Sequence, residues 1–168
     1  MVMLGGHHIR ANTEVHDVVF VAGHILEDTY PQLRQAWFGE QKGLHIDSWV
    51  KVNGVETEGK KYQIKLSSSK QDIEHEKLFL INLGGYSAEV FGELHRYILV
   101  VASDAKLAKQ IGKKHFDIQW SKQHTDRVLE VDDCLAIDYV GECYIQLIEV
   151  DDYSSNVREN CYITIGIE

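Results

Sequence analysis

Short continuous apolar runs alternate along this chain with stretches whose apolar positions recur every three or four residues. "VVFVAG" (18–23) and "YILVVAS" (97–103) read as buried strands, and "LFLINLGG" (78–85) as a strand ending in a Gly-Gly turn. Each of the first two runs leads into a helical pattern. In the first, Asp28 or Thr29 caps the helix, Pro31 sits in its first turn, and Leu33, Ala36 and Trp37 form an apolar face closing at Gly39. In the second, Ser103 caps "DAKLAKQIGKKH", with Leu107, Ala108 and Ile111 inward and lysines where the helix dipole favours them. Alternating strands come next: "SWVKVNG" then "YQIKL", and "RVLEVDDC" then "CYIQLIEV".

The pattern therefore occurs twice. An ungapped offset of 79 pairs residues 4–54 with 83–133 and leaves nine of the 51 positions identical, against about three expected by chance from average composition. After residue 54 the register slips by two, which aligns "YQIKL" with "CYIQL". The expected architecture is α+β: two tandem β-β-α-β-β units forming a mixed sheet and sharing one core about a pseudo-two-fold axis. On this reading residues 1–168 are a single domain made of two internal repeats, 1–69 and 77–150, with 151–168 as a C-terminal strand extension. A copy of this length would be marginal alone. The first strand is short, with only "MVML" before its glycines.

Four of the nine identities are ionisable: Glu14/Glu93, His16/His95, His45/His124 and Asp47/Asp126. Residues two apart on an extended segment face the same way, so each Glu-x-His and His-x-Asp pair projects from one face. The second and third strands are joined by about 20 residues containing a helix, the length of a crossover between parallel strands. If those strands are neighbours, Glu14, His16, His45 and Asp47 converge at one end of the sheet, and Glu93, His95, His124 and Asp126 do likewise. Two imidazoles with carboxylates match a zinc or iron ligand set and also suit general acid/base work. Structural ties are the favoured reading of these pairs, ahead of a metal or catalytic site and then of a surface for an unmetallated ligand.

Charge and composition narrow the partners. A formal charge of -9, without a Lys/Arg stripe, argues against nucleic acid. No apolar run approaches the roughly 20 residues of a membrane helix, and the start "MVMLGGHH" does not read as a secretory signal, so a cytoplasmic location and no membrane partner are expected. Cys134, Cys143 and Cys161 have neither metal nor redox spacing and read as unreacted thiols, with a cross-strand contact between Cys143 and Cys161 open.

"LGG", "NTEVHDVVFVAG", "EDTYPQLRQAWFG", "GLHIDSW", "FLINLGGY", "GELH" and "EVDDC" together resemble the bacterial family catalogued as domain of unknown function 1543. The resemblance covers roughly residues 3–150, and members of that family carry one or two copies of such a unit. It implies no particular activity, cofactor or catalytic residue, and residues 151–168 lie outside it.

Taken together, the sequence favours a binding module for a partner protein or a small ligand between the repeats, with an exposed edge strand that would allow a homodimer. The alternative is a metal-dependent hydrolase-like enzyme with His16, His45 and Asp47 as ligands and Glu14 as general base. A divalent metal is the one cofactor the pattern admits, and whether the protein is an enzyme stays open.

Overall fold

The structure, a computed structural model, describes residues 1–70, 76–86, 89–115 and 127–167. The chain divides into two compact units. The first comprises Met1–Asn53, Tyr139–Cys143 and Ser154–Glu168, and the second Gly54–Asp138 and Tyr144–Tyr153.

In the first unit, strands β1 (Val2–Gly6), β2 (Val15–Val19) and β3 (His45–Lys51) are followed much later in the chain by β11 (Val157–Thr164), and the sheet order is β11-β3-β1-β2. A single 3-10 turn, Glu27–Thr29, leads into helix α1 (Tyr30–Ala36), with Pro31 in the first turn where a missing N–H costs nothing. Thr29 does not cap the helix through its side chain. Its Oγ1 instead donates to the Leu26 carbonyl at 2.6 Å. Side chains alternate across β1: Val2 and Leu4 enter a core with Leu33, Trp37, Leu44, Ile46 and Ile165, which leaves Gly5 on the opposite face. Strand β11 covers the first five residues of "NCYITIGIE" and the three before them, and it belongs to the sheet of the first unit.

The second unit opens with the hairpin β4 (Gly54–Thr57) and β5 (Lys60–Ser67), then β6 (Lys77–Tyr86), β7 (Glu93–Ala102), α2 (Ala105–Lys114), β8 (Arg127–Ala136) and β10 (Cys143–Val150). The two-residue strand β9 (Tyr139–Val140) falls within the first unit. One sheet runs β7-β6-β8, and β4, β5 and β10 lie in another. The core of this unit joins Phe79, Ile81, Leu83, Val100, Ala102 and Val131 from the strands to Ala108 and Ile111 from α2. Thr57 contributes a buried cross-link, its Oγ1 accepting the Val101 N–H at 3.0 Å.

Several expectations are corrected by the packing. The strands pair antiparallel in each described register, in place of a mixed sheet. Strands β2 and β3 are indeed parallel to each other, since both run antiparallel to β1, but they are not neighbours because β1 lies between them. Asp104, not Ser103, caps α2. Its carboxylate accepts the Leu107 N–H at 2.9 Å, with Ser103 Oγ donating to its other oxygen. The buried face of α2 is accordingly Ala108, Ile111 and Gly112, and Leu107 is exposed. All three cysteines are free. Among the described residues no helix is long and apolar enough to cross a membrane.

The Leu107 N–H holds the Asp104 carboxyl below its ordinary range, followed in effect by the Ser103 hydroxyl and the Lys106 backbone. A depressed carboxyl stabilises the fold above its unfolded value, about 3.9, and that contribution disappears as pH falls through the folded value. Amide exchange at Leu107 should therefore lose protection below about pH 4. In Asp104→Ala the protection should be low at neutral pH and insensitive to acidification over the same interval.

Candidate metal centre

The polar face of the first sheet is built on a strand that supplies no side chain. Gly5 of β1 pairs with His16 on one side and with His45 on the other. A Cβ at Gly5 would stand 2.5 Å from Asp47 Oδ2, 2.6 Å from His45 Nε2 and 3.2 Å from His16 Cδ2. The two outer strands are about 9.6 Å apart, twice the ordinary strand spacing of ~4.8 Å, and their side chains meet in the space the glycine leaves. The first four predicted residues thus come together, by a different geometry from adjacent strands.

Asp47 reaches this point because β3 carries a β-bulge. Met3 pairs with Ser48 and Leu4 with Ile46, so Asp47 is the extra residue opposite one step of β1. A bulge re-aims a side chain and interrupts the ladder locally.

The donor atoms are closely grouped. His16 Nε2 lies 3.2 Å from both Glu14 Oε1 and Asp47 Oδ2, and His45 Nε2 lies 3.3 Å from Asp47 Oδ1 and 3.6 Å from Glu14 Oε1. None of these approaches has hydrogen-bond alignment, and both His45 Nε2 and Asp47 Oδ2 are buried without a hydrogen-bond partner. His45 is only 1% exposed. Its Nδ1 stands 2.8 Å from the Gly43 carbonyl, which can only accept, so Nδ1 carries a proton and Nε2 is the ring atom turned toward the carboxylates. A backbone carbonyl on the far nitrogen is how metal-ligating histidines are oriented. Glu14 and His16, in contrast, are 40% and 47% exposed and leave one side of the cluster open to water.

Cys161 on β11 is not part of this donor set. Burial above all, then the charges of Glu159 and Asp47, pushes its thiol above the ordinary range, and Sγ is spent on the Ile46 carbonyl at 3.8 Å. Without a thiolate, the group offers imidazole nitrogen and carboxylate oxygen only.

The second unit repeats the frame with different occupants. Gly84 pairs with His95, and Asn82 pairs with Asp133 while Leu83 pairs with Val131, so a bulge again presents one aspartate, Asp132. A Cβ at Gly84 would collide with Asp132 Oδ2 and with Glu93 Oε1. His95 is flanked on both ring nitrogens, with Nδ1 3.4 Å from Asp132 Oδ2 and Nε2 3.9 Å from Glu93 Oε2. Glu93 and His95 are thus brought together with Asp132, a residue the ungapped comparison did not select. His124 and Asp126 lie outside the described residues. The missed signal is an offset of 85, which aligns "LHID" (44–47) with "LEVD" (129–132) and sets Asp47 against Asp132.

Comparison with known proteins agrees with the resemblance. The model of the Domain of Unknown Function (DUF1543) family matches residues 11–66. A solved structure described as that of a protein Il1583 from Idiomarina loihiensis is 32% identical, with 99% of this chain and 96% of that chain covered and a TM-score of 0.74. The chain belongs to the DUF1543 family. No curated protein matches it. The segment matched by the family model holds Glu14, His16, His45 and Asp47. In this DUF1543 chain, then, the grouped donors fall inside the portion that defines the family.

Filling the space over β1 should dismantle the cluster. Gly5→Ala places a methyl among groups that include the fully buried His45, and overpacking of this kind costs about 1–3 kcal/mol. A denaturant melt should show that loss. Gly84→Ala should perturb the Glu93/His95/Asp132 group and leave His16 and His45 imidazole resonances where they are in the wild type.

Proposed function

We propose that this protein binds a divalent transition-metal ion in its first unit, with His45 Nε2, His16 Nε2, Asp47 and Glu14 as the donor set. The observation that carries this is the spacing. Glu14, His45 and Asp47 each offer one donor atom within 4.8 Å of the other two, a span one ion can bridge, since ligand atoms about 2.0–2.1 Å from a tetrahedral ion are about 3.3 Å from one another, and His16 Nε2 lies alongside, 3.2 Å from Glu14 Oε1 and from Asp47 Oδ2. A buried ring nitrogen left without a hydrogen bond beside two carboxylates is costly unless a cation lies between them. Two imidazoles with carboxylates suit Zn²⁺ or Fe²⁺ better than Ca²⁺ or Mg²⁺. This reading takes up the metal that the sequence offered as the alternative, in place of a binding module for a partner protein or small ligand between the repeats.

We read the two copies, residues 1–69 and 77–150, as an old tandem duplication. Support comes from the equal glycine–histidine pairings, Gly5 with His16 and Gly84 with His95, and from the bulged aspartate in each copy. Strands β5 and β10 add to it, because Lys65 and Gln146, equivalent residues in the two copies, pair with each other antiparallel. In the second copy each carboxylate engages a different nitrogen of one ring, so we read Glu93, His95 and Asp132 as a structural tie.

Protein purified without chelator or histidine tag should carry about one ion per chain by elemental analysis. His45→Ala should abolish uptake on metal add-back while the protein stays folded. Absence of metal from folded wild type after add-back, with His45→Ala only destabilised by the ~1–3 kcal/mol of an unsatisfied polar partner, would return the cluster to a structural role.

The exposed side of the cluster favours one second reading, hydrolysis at the bound ion. On this reading Glu14 leaves the donor set and acts as general base on a water there, with His16, His45 and Asp47 as ligands. Glu14→Gln should then keep the ion and lose turnover of activated ester or phosphoester substrates by at least about 100-fold. Equal turnover in the variant and the wild type would discard this reading.

A further inference from the structure

The C-terminal strand reaches the same cluster from its other side. On β11, Asn160 pairs with Ser48 and Ile163 with Ile46, so three steps of β11 oppose two of β3 and the strand bulges opposite Asp47. Within the bulged segment the Tyr162 ring lies on the His45 imidazole, with centroids 4.2 Å apart and planes inclined at 31°. Tyr162 is itself 69% exposed, whereas His45 is 1% exposed. An aromatic side chain left in water while covering a buried imidazole contributes little to a core. Its position is that of a roof over one ligand.

We infer that Tyr162 is a positioning residue of the metal centre: it holds the His45 ring at the angle that directs Nε2 into the cluster and closes that side, so that ions exchange past Glu14 and His16. The inference rests on the metal-binding reading. It gives residues 151–168, which lie outside the repeated pattern, a role at the first site. Face-to-face contact of two rings restrains rotation of the imidazole, and holding ligands in place by groups that do not coordinate is a general feature of metal sites. Affinity changes of this kind fall mainly on the dissociation rate.

The test uses full-length metal-free protein reloaded with Co²⁺, whose visible absorption reports coordination geometry, followed by a chase with excess chelator. Tyr162→Phe should release Co²⁺ within about twofold of the wild-type rate, Tyr162→Leu faster, and Tyr162→Ala about tenfold or more faster with an altered absorption band. Melting of the metal-free variants should change little, because the side chain is largely exposed. Equal release rates and unchanged spectra in Tyr162→Ala and the wild type would overturn the role of Tyr162 while leaving the metal centre standing. Equal acceleration in Tyr162→Phe and Tyr162→Ala would overturn it too, since the aromatic ring would then not be what matters. A wild type that takes up no Co²⁺ would overturn the metal centre itself, and the role of Tyr162 with it.

Discussion

A missing Cβ governs the organisation of the first unit. Strand β1 lies between β2 and β3, and any side chain at position 5 would occupy the volume in which Asp47, His45 and His16 meet. Glycine weakens a strand interior by removing packing and adding chain entropy. Here that cost coincides with the one position where side chains from two non-adjacent strands have to touch. Leu4, one residue earlier and fully buried, anchors the same strand in the core on the other face. The alternation of Leu4 and Gly5 is therefore the local rule by which one strand both packs and makes room.

The second constraint is the interruption of the ladder at Asp47. Regular pairing through this residue would leave β3 without the extra residue that re-aims its side chain. The bulge against β1 and the bulge of β11 fall at the same place, and between them they bring a carboxylate from β3 and an aromatic ring from β11 to the two sides of His45. Asp132 stands at the matching interruption of β8. Each of the two interruptions turns an aspartate toward a histidine of its sheet, the re-aiming of a side chain that bulges produce.

Much of the local structure was legible because it depends on short-range physics. The apolar runs at 78–85 and 97–103 became β6 and β7, Pro31 sat in the first turn of the first helix, and Glu14, just before β2, came to lie beside His16, whereas of "VVFVAG" only Val18 and Val19 are in β2. The helix cap was misplaced by one position, because Ser103 and Asp104 are both good caps in sequence and only the backbone of the folded chain selects which carboxylate or hydroxyl meets the Leu107 N–H. Asp132 escaped notice for a different reason. Its correspondence to Asp47 needs a shift of six positions between α2 and β8, and an ungapped comparison scored His124 and Asp126 in its place.

By itself the sequence determined the repeat of glycines and acid–histidine pairs, the α+β character, and membership of the family, since all of these are carried by residue type and spacing. Tertiary structure decided the strand order that inserts β1 between β2 and β3, the burial of His45 beneath Tyr162, and the return of the C-terminal strand to the first sheet. These depend on which distant strand wins a pairing edge, a competition between long-range contacts in which loop-closure entropy rises only slowly with separation. Residues 45 and 162 carry no local signal of each other, and their contact exists only once β11 has closed the edge of β3.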